Sequence, residues 1–124
     1  MAESEQSGPS GGVPLAQALD GLWRRFLPEI AARVAILESA VAALAGDQLR
    51  PEQREAAQAA AHKLAGVLGA FGLARGTDLA RELEIVFTGE AAPGDWAMPP
   101  SAISPLTAAV AELRAVVEGR NSAA

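Results

Sequence analysis

The chain has 124 residues, half of them apolar, with no cysteine and a net charge of −5. That length corresponds to one domain, and the missing cysteines exclude a disulfide framework, a thiolate metal site and a thiol nucleophile. The acidic balance, with no basic cluster larger than Arg24-Arg25, argues against a nucleic-acid partner, which would need grouped Lys and Arg.

No apolar run reaches the length of a membrane span. The start, Met1-Ala2-Glu3-Ser4-Glu5, carries acids where a signal peptide needs a basic segment, so a cytoplasmic location and no membrane contact are expected. Residues 1–12 are polar and rich in Gly and Ser, the composition of a flexible tail. Helical periodicity begins at Val13. Leu15, Leu19, Leu22, Phe26 and Ile30, then Val34, Leu37, Val41 and Leu44, recur at spacings of three and four, with Phe26 expected in the core and Trp23 at its margin. Pro28 breaks this run, so it predicts either a kinked first helix or an additional N-terminal helix. Gly46-Asp47 marks the stop.

Pro51 suits the first position of the next helix, which runs through alanine-rich sequence to about Phe71 and ends at Gly72. A third segment, Ala74 to Thr88, places Leu79, Leu83 and Val86 on one face, with Ala80 and Phe87 beside them. Residues 89–100 read as a Pro- and Gly-rich connection whose Trp96 folds back over a bundle end. Ser104-Pro105 reads as an N-cap followed by proline, opening a helix with Leu106, Val110, Leu113 and Val117 on its stripe and Gly119 at its end. Residues 120–124 are expected to be disordered. The pattern predicts an all-α fold, an antiparallel up-down four-helix bundle over residues 13–119.

Residues 54–72 carry the chemistry. Ala57, Ala61, Leu64, Leu68 and Phe71 form the seam that must be buried. His62, the sole histidine, lies roughly 140° from the centre of that seam and is expected to look outward. On its own face stand Gln58, Gly66 and Gly69, with Ala65 slightly to the side. An interior glycine costs a helix about 1 kcal/mol relative to alanine, and this helix uses alanine freely elsewhere. Two glycines beside an exposed imidazole therefore make a flat patch that another protein can approach closely. A solvent-facing imidazole is mostly neutral and nucleophilic near neutral pH. Gln58, Lys63 and Arg54 are the candidate donors to a phosphoryl group on its ring.

The stretch His62-Lys63-Leu64-Ala65-Gly66, followed by Phe71-Gly72, resembles the signature of histidine phosphotransfer (HPt) domains. In that family the histidine is followed by Leu at +2, often Lys at +3, Gly at +4, and an apolar residue with Gly at +9 and +10. Leu79-Ala80-Arg81-Glu82-Leu83-Glu84 is similar to the family's next helix, and helix order extends the resemblance from about Leu15 to Val117. The resemblance implies an HPt-like bundle in which His62 is the phosphoacceptor. Receiver domains of response regulators or a hybrid histidine kinase are then the partners. It implies no cofactor on this chain, with magnesium on the receiver, and a monomer is expected. The chain departs from the family at +3, where Ala65 replaces the frequent lysine, so the charge beside the phosphoryl group either comes from Lys63 or is weaker. The site residues expected on this reading are His62, Gln58, Lys63, Ala65, Gly66 and Gly69.

Other chemistries fare worse. A serine triad lacks a GxSxG turn, and the only histidine is expected on a helix facing solvent. A metal site would rest on carboxylates such as Glu55, Glu82 and Glu84, which are better explained as solvated helix faces. There is no nucleotide-binding glycine loop. A kinase dimerisation helix would place an acid after the histidine and a proline soon after it; here Lys63 follows and the next proline is Pro93. Without an ATP-binding segment, no self-phosphorylation is expected. The remaining alternative is a noncatalytic helical adaptor in which His62 is incidental.

Overall fold

The computed structural model describes residues 12–88 and 100–123, and among them the chain forms four helices and no strand. These are α1 (Gly12–Ala45), α2 (Pro51–Ala70), α3 (Ala74–Phe87) and α4 (Pro100–Ala123). Each helix packs on its neighbours in sequence, and α4 closes back on α1, so the four surround one apolar core. The expected tail and the connection holding Trp96 lie outside the described residues.

Turn chemistry sets the ends. Gly72 takes a left-handed φ of 75°, while Leu73 N–H donates to Leu68 O at 2.9 Å and Gly72 N–H to Gly69 O at 3.0 Å. That is a glycine-closed Schellman cap, and it satisfies carbonyls that helix α2 would otherwise leave open. Helix α1 closes the same way, with Gln48 N–H on Ala43 O at 2.7 Å and Asp47 N–H on Leu44 O at 3.1 Å. There the left-handed residue is Asp47, φ 57°, and not Gly46; aspartate is among the few side chains that tolerate this region. Pro51 does open α2.

Four expectations are corrected. First, of the two alternatives at Pro28 the additional N-terminal helix is overturned, because α1 is one helix with the proline inside it. Pro28 is exposed, so the carbonyl left without its N–H partner faces water. Second, Trp23 is fully buried, whereas Leu15, Leu19, Leu22 and Phe26 are exposed, Phe26 at 36 %. Trp23 packs edge-on against Phe71 with ring centroids 5.2 Å apart. Phe71 caps α2, so the turns of α1 before Trp23 overhang the end of α2. The side of α1 that buries Ile30, Leu37 and Leu44 therefore loses the cover of α2 further toward the N-terminus. Third, α4 starts at Pro100 with Pro105 inside it, so Ser104 is not its cap. Burial of Ile103 holds the extra turn. Fourth, α4 passes Gly119 and runs to Ala123. Arg120 donates to Asp20 at 2.8 Å and lies 5.4 Å from the centre of the Trp23 ring, which holds residues expected to be disordered against α1.

The core stripe of α2 is Ala57, Ala61, Leu64 and Leu68; that of α3 is Leu79, Ala80, Leu83 and Phe87. Small residues on α2 bring α3 close. Gly76 completes the approach, because a Cβ there would stand 2.9 Å from Leu68 Cδ1 and 3.2 Å from Val116 Cγ1. Burying each large side chain contributes roughly 1.5–3 kcal/mol.

Ion pairs tie the rims. Arg114 binds Glu38 through Nε and Nη2, at 2.5 and 2.8 Å, and Arg75 binds Glu112 in the same two-pronged way. The hydrogen bond from Arg114 holds the Glu38 carboxyl below the usual glutamate range, burial opposing it. A carboxyl lowered in the folded state adds stability above its unfolded pKa and loses it as pH falls through the folded value. Stability should therefore decline as pH drops through about 4.3 and below. Glu38→Gln should flatten that decline while changing stability at pH 7 by no more than about 1 kcal/mol, the surface-pair range. Urea unfolding of both proteins at pH 7 and pH 3 checks this; an equally steep acid decline in the variant would refute it.

Candidate functional site

The buried stripes fix how α2 and α3 are rotated, and they leave His62 and Glu84 at the rim where the two helices meet. His62 Nδ1 lies 2.9 Å from Glu84 Oε2. The imidazole is 75 % exposed and the glutamate 26 %. A carboxylate only accepts hydrogen bonds, so Nδ1 carries the hydrogen and donates it. In the neutral ring that arrangement puts the lone pair on Nε2, the nitrogen turned away from Glu84. The neighbouring groove is lined by His62, Ala65, Gly66, Arg81, Glu84 and Ile85. It is open to solvent, and Gly66 leaves one wall low, because a Cβ at Gly66 would meet nothing within 4 Å. No group of three or more metal-ligating side chains occurs among the described residues.

The Hpt domain profile matches residues 21–116, most of the chain. The chain belongs to the Hpt domain family. Hpt domains serve histidine phosphotransfer in two-component signalling, where they meet receiver domains and histidine kinases. The chain is also similar to Protein RcaC of Microchaete diplosiphon, 44 % identical over 66 residues, covering 53 % of this chain and 10 % of RcaC. It thus spans about a tenth of that relative's length. No solved structure matches. No helix among the described residues is long and apolar enough to cross a membrane.

The Hpt groove brings together three of the expected site residues, His62, Ala65 and Gly66. Ala65 is 6 % exposed, a methyl in the floor of the groove and no part of a protruding surface. Gly69 lies one turn further on, in a separate shallow groove with Gly72, Ala74, Thr77 and Asp78; its missing Cβ would sit 3.4 Å from Thr77 Oγ1. Gln58 is half-buried and Lys63 exposed, and neither lines the groove. Arg54 is engaged elsewhere, its Nη1 donating to Phe87 O at 2.9 Å, two turns of α2 away from His62.

Three groove residues escaped the sequence reading. Glu84, read as part of a solvated face, is the partner of His62, and neither Arg81 nor Ile85 was assigned to the site. The signal was present in the hairpin. His62 and Glu84 are equally far in sequence from Leu73, as are Ala65 and Arg81, and Gly69 and Thr77. A tight turn between antiparallel helices pairs residues at equal distances from it.

Proposed function

We propose that this Hpt domain is a phosphorelay intermediate, whose His62 takes a phosphoryl group from a receiver-domain aspartate and passes it to another. The observation that carries this reading is the Nδ1–Glu84 bond at 2.9 Å in a chain with a single histidine. The Nε2 lone pair attacks phosphorus, the P–O bond to the receiver aspartate breaks, and that electron pair leaves with the carboxylate. No proton has to move. The ring keeps its Nδ1 hydrogen and gains positive charge, which the Glu84 carboxylate opposes from one hydrogen bond away. The return step runs the same path backward, with neutral imidazole as the leaving group. Transfer of this kind depends on alignment and charge, and little else is required of this chain. Magnesium belongs to the receiver on this reading, and the chain needs no cofactor or kinase activity of its own. The partners are receivers of response regulators or of a hybrid histidine kinase, met by a monomeric Hpt domain.

Glu84 acts as a positioning residue. Incubation with phosphorylated receivers should give an acid-labile, base-stable phosphate on His62. Glu84→Ala should slow its formation by on the order of tenfold or more, as expected when a catalytic ring loses its orienting acceptor. Glu84→Gln, which still accepts from Nδ1–H, should recover part of the rate. Nitrogen-15 shifts of the ring report the tautomer directly. Wild-type rates in Glu84→Ala, or a ring with its hydrogen on Nε2, would defeat the assignment. A wild-type chain that takes no phosphate from any receiver would favour an adaptor with an incidental histidine.

A further inference from the structure

A phosphoryl group on Nε2 would add about two negative charges to a groove that already holds the Glu84 carboxylate. The groove needs a cation, and its lining contains one: Arg81. Arg81 is exposed and makes no hydrogen bond or ion pair among the described residues. Arg24, Arg25 and Arg50 likewise have no side-chain partner among the described residues, but none of them lines this groove. Arg81 stands one turn before Glu84 on the same face of α3. Across the groove it faces Ala65, whose buried methyl leaves the space above it unfilled. Lys63, exposed but absent from the lining, is not placed for this role.

Resting on the phosphotransfer reading, we infer that Arg81 is the phosphate-binding residue of this Hpt domain, reaching over Ala65 to hold the oxygens of phosphorylated His62. Guanidinium suits the task, because its planar fork of donors matches two phosphoryl oxygens at once. Glu84 and Arg81 then divide the labour. The carboxylate opposes the ring's positive charge, and the guanidinium opposes the charge on the phosphoryl oxygens. This removes the difficulty raised by Ala65, since the balancing charge comes from the facing helix.

The test uses the whole chain and phosphoramidate as donor. Nε2 attacks phosphorus, the reagent's P–N bond breaks, ammonia departs, and the ring keeps its Nδ1 hydrogen. Phosphorus-31 spectra of the product, recorded against pH, give the acid constant of the phosphoryl group. A nearby guanidinium favours the dianion, so Arg81→Ala should lower that acid constant about two- to fivefold, the size of an exposed ion pair. The transfer equilibrium with one receiver should move away from His62 by a similar factor. Both effects should shrink at high salt. Arg81→Lys should restore a good part of each, and Lys63→Ala should change neither. A purely structural role would show neither the salt dependence nor the lysine rescue. If phosphorylated wild type and Arg81→Ala titrate alike at low salt, or Lys63→Ala produces the shift instead, the inference is overturned. Phosphoramidate that leaves His62 unmodified in wild type counts against the phosphotransfer reading itself, a result distinguishable from either.

Discussion

His62→Gln is expected to keep the helical fold and lose phosphoryl acceptance completely. The side chain is 75 % exposed and contributes nothing to the core, so removing it creates no cavity. Its one hydrogen bond among the described residues is to Glu84, and a glutamine amide can still donate there. What disappears is the Nε2 lone pair, and no second histidine exists in the chain to replace it. Circular dichroism should overlay with wild type, and a thermal midpoint within a few degrees is consistent with a surface change of about 0.5 kcal/mol. Radiolabel from a phosphorylated receiver should remain wholly on the receiver. Label that still reaches the variant, and survives base, would move the acceptor elsewhere.

Gly66→Leu should separate stability from transfer. A Cβ at Gly66 meets open space, and leucine is the better helix former by close to 1 kcal/mol, so the thermal midpoint should stay level or rise. Transfer from a receiver should fall on the order of tenfold to a hundredfold, because an isobutyl group one turn from Nε2 keeps the attacking atoms from closing to reaction distance. Gly76 is the opposite kind of glycine, enclosed by Leu68 and Val116. Loss of stability in Gly66→Leu would show that position 66 packs as position 76 does, and that the low wall of the groove has another cause.

Much of the framework was legible because it is local. Pro51 at a helix start, Gly72 at a stop, and the stripes of α2 and α3 are written in consecutive residues, where backbone geometry and burial act directly. The errors arose where a distant element decided. In α1, two apolar stripes compete, one through Trp23 and one through Leu19, Leu22 and Phe26. Periodicity ranks them equally, and only the place where α2 ends determines which is covered. Ile103 and Arg120 likewise extend α4 beyond its local signals through contacts that are remote in sequence. At the site, a helical wheel gave the exposure of His62 but not its partner. A wheel describes one helix, and Glu84 and Arg81 enter from another.

The groove beside His62 is open on one side, and that has a kinetic consequence. On the proposed relay reading, a single ring with a single approach seats one partner at a time, so delivery and collection of the phosphoryl group would alternate and the first partner would leave before the second arrives. Flux through the protein is then capped by dissociation. For about 10 turnovers per second, a median enzymatic rate, each complex must come apart at least that fast. With ordinary association constants of about 10⁶–10⁷ M⁻¹ s⁻¹, neither partner can bind much more tightly than roughly 1–10 μM. An interface with a deep pocket and strong anchors would stall such an exchange, so the open groove beside Gly66 suits the brief encounters that the proposed relay role requires.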